Sequence, residues 1–176
     1  MTASGTQGTA PRKILVIGLG NPDRGDDGIG TRVVHDLVGT LPPDVTVLAR
    51  RGDLLSLIED WAGFDGVVCI DAAAPRGVPG RICRIDLNSA ELPRDVMFTS
   101  SHALGLPEAI ELARALALAP RQLIVYAVEG GSFEGGTPLT PAVAAAARVV
   151  AGQVAAEVGR LRRCTANSRP GTLHHP

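Results

Sequence analysis

The stretch ILVIGLGNPDRGDDGIG, residues 14–30, decides the fold. Its opening run, Ile14–Gly18, is apolar without alternation, which reads as a strand buried on both faces in a parallel sheet. The loop GNPDRGDDG then turns the chain. A helix is expected from about Ile29, because Ile29, Val33, Leu37 and Leu41 recur every four residues and mark one buried face. Pro42-Pro43 closes it, since a residue preceding proline is pushed out of helical geometry.

Working outward, Val45–Leu48 reads as a second strand, and Asp53 as the cap of a short helix running through Ile58. GVVCI, Gly66–Ile70, is a third buried strand ending at Asp71. Arg81–Ile85 alternates polar and apolar residues, as a strand with one wet face at a sheet edge does. Residues 86–103 form a long polar connection containing TSSH, a candidate site loop because long ordered loops usually carry function. Leu106–Leu118 is an Ala/Leu-rich helix with Pro107 in its first turn. Leu123–Val128 is another buried strand, and EGGSFEGGTPLT leads into a terminal helix from Pro141 to about Arg163. Residues 1–11 and the tail 164–176 are expected to be disordered, leaving 12–163 as one domain. The alternation of strands and helices predicts a single-domain α/β fold: a twisted, mostly parallel sheet of about five strands with helices on both faces.

Composition bounds the function. The 176 residues are 45% hydrophobic and 20% charged, as in ordinary soluble domains. A net charge of -1 offers no bulk field for nucleic acid or an acidic membrane surface. No hydrophobic stretch is expected to reach the roughly 20 residues that cross a bilayer. The first residues, MTASGTQGTAP, lack the basic and apolar regions of a secretory signal. The three cysteines form no CxxC pair, which suits a reducing cytoplasm. Cys69 and Cys83, both in strands, read as small hydrophobes.

Ligands of open α/β sheets bind at the carboxyl ends of the strands. Asp27 follows the first strand, Asp71 ends the third, and His102 precedes the third helix, so all three fall on or near that edge. Two carboxylates and an imidazole can form a metal-binding face with open positions, suited to nickel, zinc or iron. The two Asp could instead share a proton and activate water. Each has a blander reading too: Asp26 or Asp27 as a helix cap, Asp71 as a loop anchor, His102 as a surface residue. His35 is expected to flank the core, and His174 and His175 belong to the tail. Gly18-Leu19-Gly20 follows a strand, but the third glycine of a dinucleotide fingerprint is replaced by Asp23, and three nearby aspartates repel a pyrophosphate. There is neither a Walker A motif nor a G-x-S-x-G elbow.

Four blocks in order, ILVIGLGNPDRGDDGIG, VVCIDAA, SSHALGL and GGTPLTPAV, together resemble the hydrogenase maturation endopeptidases from residue 14 to about 155. The resemblance implies an endopeptidase that removes a C-terminal peptide from the nickel-loaded precursor of a nickel-iron hydrogenase large subunit. It also implies that Asp27, Asp71 and His102 contact nickel carried by that precursor. No cofactor is then permanently bound: the substrate brings the nickel, with zinc or cadmium as substitutes in vitro. The loop PDRGD before Asp27 is more polar than in many members, where apolar residues follow the Asn. GLGNP also opens peptidyl-tRNA hydrolases, but here Thr31-Arg32-Val33-Val34 stands where that family carries its catalytic His, and no basic surface is expected. A non-cleaving, metal-sensing scaffold would show the same ligand set. The distantly similar spore-protein proteases differ in substrate.

Overall fold

The computed structural model describes residues 12–51, 54–89, 91, 98 and 105–163. Among these residues five strands and four helices follow in the order β1 (Ile14–Leu19), α1 (Ile29–Leu37), β2 (Val45–Arg50), α2 (Leu54–Trp61), β3 (Gly66–Ala73), β4 (Ile82–Asp86), α3 (Leu106–Ala115), β5 (Gln122–Glu129) and α4 (Pro141–Arg163). The sheet order is β2-β1-β3-β5-β4. The first four of these run parallel, and β4 closes one edge antiparallel to β5. The expected α/β sheet is therefore present, including the edge position of β4.

Side-chain alternation sends successive residues of each strand to opposite faces. Ile14, Val16, Val68, Ile70, Ile124 and Tyr126 meet α1 and α4 on one face. Leu15, Ile17, Val67, Cys69, Leu123 and Val125 meet α2 and α3 on the other. Both faces are covered, which is why the central strands carry no polar alternation. By length and composition α4 is apolar enough to cross a membrane, contrary to the expectation that no stretch reaches that length. In the fold, Val143, Val150, Val154, Val158 and Leu161 are instead buried against the sheet and α1. Each such side chain contributes about 1.5–3 kcal/mol of transfer free energy.

Local signals move several expected boundaries. The first helix stops at Leu37, not Leu41: Gly39 takes φ +77, and the Thr40 hydroxyl donates to the Leu37 carbonyl at 2.9 Å. A left-handed glycine just past the last turn is a strong stop, and Leu41 still packs on the core beyond it. The third helix ends at Ala115, because Ala117 enters left-handed geometry at φ +56 and the Leu118 N–H returns to the Ala113 carbonyl at 2.8 Å. The strand β3 continues two residues past Asp71, since Asp71, Ala72 and Ala73 pair with Ala127, Val128 and Glu129 of β5. The imidazole of His35 is 85% exposed beside Asp36, so it does not flank the core. Asp53, the expected cap, lies outside the described residues.

Glycines decide how closely α1 approaches the sheet. A methyl group on Gly30 would lie 2.3 Å from the Leu19 carbonyl oxygen and 2.6 Å from that of Ile70. On Gly18 it would lie 2.1 Å from the Gly30 carbonyl oxygen. The start of α1 therefore rests directly on the backbone of β1 and β3.

Candidate active site

Strand order 2-1-3 means that the connections leaving β1 and β2 cross in opposite directions, opening a crevice between the carboxyl ends of β1 and β3. Pairing between these strands stops at Gly18↔Ile70. Beyond that point, β1 turns away into the loop carrying Asp27, while β3 runs on through Asp71. The two sequence-predicted aspartates therefore come from opposite walls of one crevice.

The loop from Gly20 to Gly28 folds back on itself. Gly20 takes φ +113, and Asp27 Oδ2 accepts from the Asn21 N–H at 2.9 Å. A 3-10 turn over Gly25–Gly28 then delivers the chain to α1, whose N-cap is Gly28. Neither aspartate occupies that cap, so the helix-capping reading of Asp26 and Asp27 is not what the fold uses.

Asp26 has a different task. It is fully buried, and its carboxylate accepts from the N–H groups of Gly131 (2.7 Å), Ser132 (3.0 Å) and Thr140 (2.7 Å) and from the Thr140 hydroxyl (2.9 Å). It thereby ties the first loop to the Gly-rich segment after β5. Asp26→Ala would strand these buried donors. Loss on the order of 3 kcal/mol of folding stability is expected, read as a lower urea midpoint at unchanged slope. An unmoved midpoint would contradict this anchoring role.

Asp27 and Asp71 are 2% and 3% exposed, so neither is an ordinary surface carboxylate. Burial, opposed by a 2.8 Å hydrogen bond from the Ala72 N–H and reinforced by the charge of Asp27, pushes the Asp71 carboxyl up to about 8. Two nearby carboxylates, one of them holding its proton near neutrality, can divide acid and base roles or release a proton to an arriving cation. Cys69, two residues before Asp71 on the same face, is fully buried. Its thiol is pushed well above the usual range by burial and by Asp71. That makes it an inert core group, as expected from its strand position.

His102 lies outside the described residues, as do His174 and His175. The described residue preceding His102 in the same connection, Phe98, bridges to Ala73 at the end of β3. Among the described residues, no three His, Cys, Asp or Glu are grouped to hold a metal ion. Sequence reasoning missed two further buried carboxylates: Glu157 on α4, which pairs with Arg84 at 2.8 Å, and Glu129 at the end of β5. It accepts from the N–H groups of Arg76 and Val78 and pairs with Arg81 at 2.7 Å, fastening the connection from β3 to β4. No local pattern marks it, because its partners lie about 50 residues away.

The site is thus a pair of buried acids at the switch point of a doubly covered, mostly parallel α/β sheet, an arrangement that can serve acid–base hydrolysis. The family model described as hydrogenase maturation protease (HycI) matches residues 32–157, which include Asp71 and His102 and begin just after Asp27. The Hydrogenase 2 maturation protease of Escherichia coli is 32% identical over 139 residues, covering 76% of this chain and 82% of that protein. The hydrogenase expression/formation protein HupD of Bradyrhizobium diazoefficiens is 32% identical over 74% of this chain and 70% of that protein. The solved structure of the hydrogenase maturating endopeptidase HybD from Escherichia coli superposes with a TM-score of 0.69 at 28% identity, covering 85% of this chain and 93% of that one. This chain belongs to the hydrogenase maturation protease family and is a peptidase.

Proposed function

We propose that this peptidase removes a C-terminal peptide from the nickel-loaded precursor of a nickel-iron hydrogenase large subunit in the cytoplasm. The observation that carries this reading is the pairing of buried Asp27 and Asp71 across the β1–β3 crevice of a chain in this family. Two carboxylates, joined in this reading by His102, form an incomplete ligand set. Such a set holds a free ion weakly, but it can close around a nickel already held by substrate thiolates. Differential affinity for loaded over empty precursor is what makes the peptidase a checkpoint. In this reading nickel arrives as substrate cargo and no metal stays with the enzyme.

The test is cleavage of purified large-subunit precursor, nickel-loaded or nickel-free, followed by intact mass. Loss of a short C-terminal peptide from the loaded form alone is expected. Equal cutting of both forms would remove the metal checkpoint. Binding of loaded precursor without cutting would favour a scaffold role.

A further inference from the structure

The loop that carries Asp27 also carries a cation without a counter-charge among the described residues. Among the described residues, the half-buried Arg24 guanidinium makes no hydrogen bond and no ion pair, and its Nη1 is shut off from solvent with no acceptor. It lies over the Phe133 ring, 6.0 Å from guanidinium carbon to ring centroid. The neighbouring carboxylates are engaged elsewhere: Asp23 lies 3.6 Å from Arg51, and Asp26 accepts from the segment 131–140. Phe133 is itself seated by the fold. A methyl group on Gly130 would lie 2.3 Å from the ring and 3.2 Å from the Asp26 Cβ, so a glycine is needed for the ring to lie there. The stack of Gly130, Phe133 and Arg24 therefore holds in place, three residues before Asp27, a guanidinium that no described residue pairs.

A half-buried guanidinium without an acceptor costs free energy in the free enzyme, and a carboxylate arriving at its accessible edge offsets that cost. The planar fork of arginine matches a carboxylate in particular. In the proposed function the ligand of this crevice is a peptide, and carboxylates are the only groups of an unmodified peptide that are fully anionic near neutral pH. We propose that Arg24 is a specificity residue that receives a carboxylate of the precursor's C-terminal peptide, either from an Asp or Glu side chain or from the chain terminus. This rests on the precursor processing proposed above and names what its site selects.

Steady-state kinetics on loaded precursor test it with Arg24→Met, which keeps the bulk of the stem and removes the charge. KM should rise about 10- to 100-fold, the contribution of one charge-assisted contact, while kcat stays within about threefold. Arg24→Lys should recover part of the loss. Two altered precursors locate the acceptor. One carries Asn and Gln for every Asp and Glu of the released peptide; the other is extended past its natural terminus by a Gly-Ser tail. The Arg24→Met penalty should vanish on one of them. Free Arg24→Met enzyme should melt no lower than wild type, because no described hydrogen bond is lost. An unchanged KM, the same penalty on both altered precursors, or a lowered melting temperature would overturn the assignment. Failure of the wild type to cut unaltered precursor would instead sink the proposed precursor processing itself.

Discussion

Asp71→Asn protein is expected to fold, to be more stable than the wild type at neutral pH, and to cut loaded precursor about 100- to 10,000-fold more slowly. Both effects have one source. The Asp71 carboxyl is buried beside Asp27 and titrates near 8, against 3.8 for an unhindered aspartate. Between those two values the folded chain holds a proton that the unfolded chain has released. Linkage then fixes the sign of the Asp71 contribution: it is greatest below about pH 3.8, falls as pH rises, and levels off above about 8. The slope is at most about 1.4 kcal/mol per pH unit. Asparagine imitates the neutral acid, and its carbonyl can keep the hydrogen bond from Ala72. The melting-temperature gap between variant and wild type should therefore open from pH 5 to pH 8. What the amide lacks is the ability to become an anionic ligand or base.

The same proton shapes recognition of the substrate. Metal ligands must be deprotonated, so binding loaded precursor in the proposed mode displaces the Asp71 proton. Affinity for the loaded form should rise toward pH 8 by up to tenfold per unit, opposite in direction to the contribution of Asp71 to the stability of the free enzyme. Asp71→Asn should abolish that pH dependence. Wild-type processing by the asparagine variant, or a melting-temperature gap that does not change with pH, would remove Asp71 from the site.

How far the sequence discloses this arrangement depends on the range of the interaction. The continuous run ILVIG marks β1 as buried on both faces because α1, α2, α3 and α4 cover the sheet on two sides. Asp27 and Asp71 can be placed at one edge because a parallel sheet aligns its carboxyl ends. Helix ends are legible only where a residue forces them: Gly39 is such a signal, whereas the left-handed Ala117 is not, since alanine carries no preference for that geometry. The structural role of Asp26 depends on partners more than 100 residues away, and the lack of a described partner for Arg24 on where Asp23 and Asp26 turn. Two adjacent aspartates in a loop look alike in sequence. One anchors the Gly-rich segment and the other enters the crevice, a division set only by the 3-10 turn between Gly25 and Gly28.

Gly30→Ala should destabilise the protein by about 3 kcal/mol or more, or prevent folding, although alanine is ordinarily the better helix residue. The added methyl would meet the Leu19 nitrogen at 2.4 Å as well as the Leu19 and Ile70 carbonyl oxygens. These are backbone atoms of paired strands and cannot turn aside as a side chain would. Relief requires the start of α1 to lift from the sheet, and the turn carrying Asp27 must move with it. Gly152→Ala supplies the opposite case within α4, where nothing lies within 4 Å of the new methyl. There the substitution only reduces the freedom of the unfolded chain and improves helix propensity, so a gain of about 0.5–1 kcal/mol is expected. Urea unfolding of the two variants side by side separates packing from propensity, because the chemical change is identical and the expected signs differ. If Gly30→Ala unfolded at the wild-type midpoint, the direct seating of α1 on β1 and β3 would be wrong, and with it the account of how Asp27 is brought to Asp71.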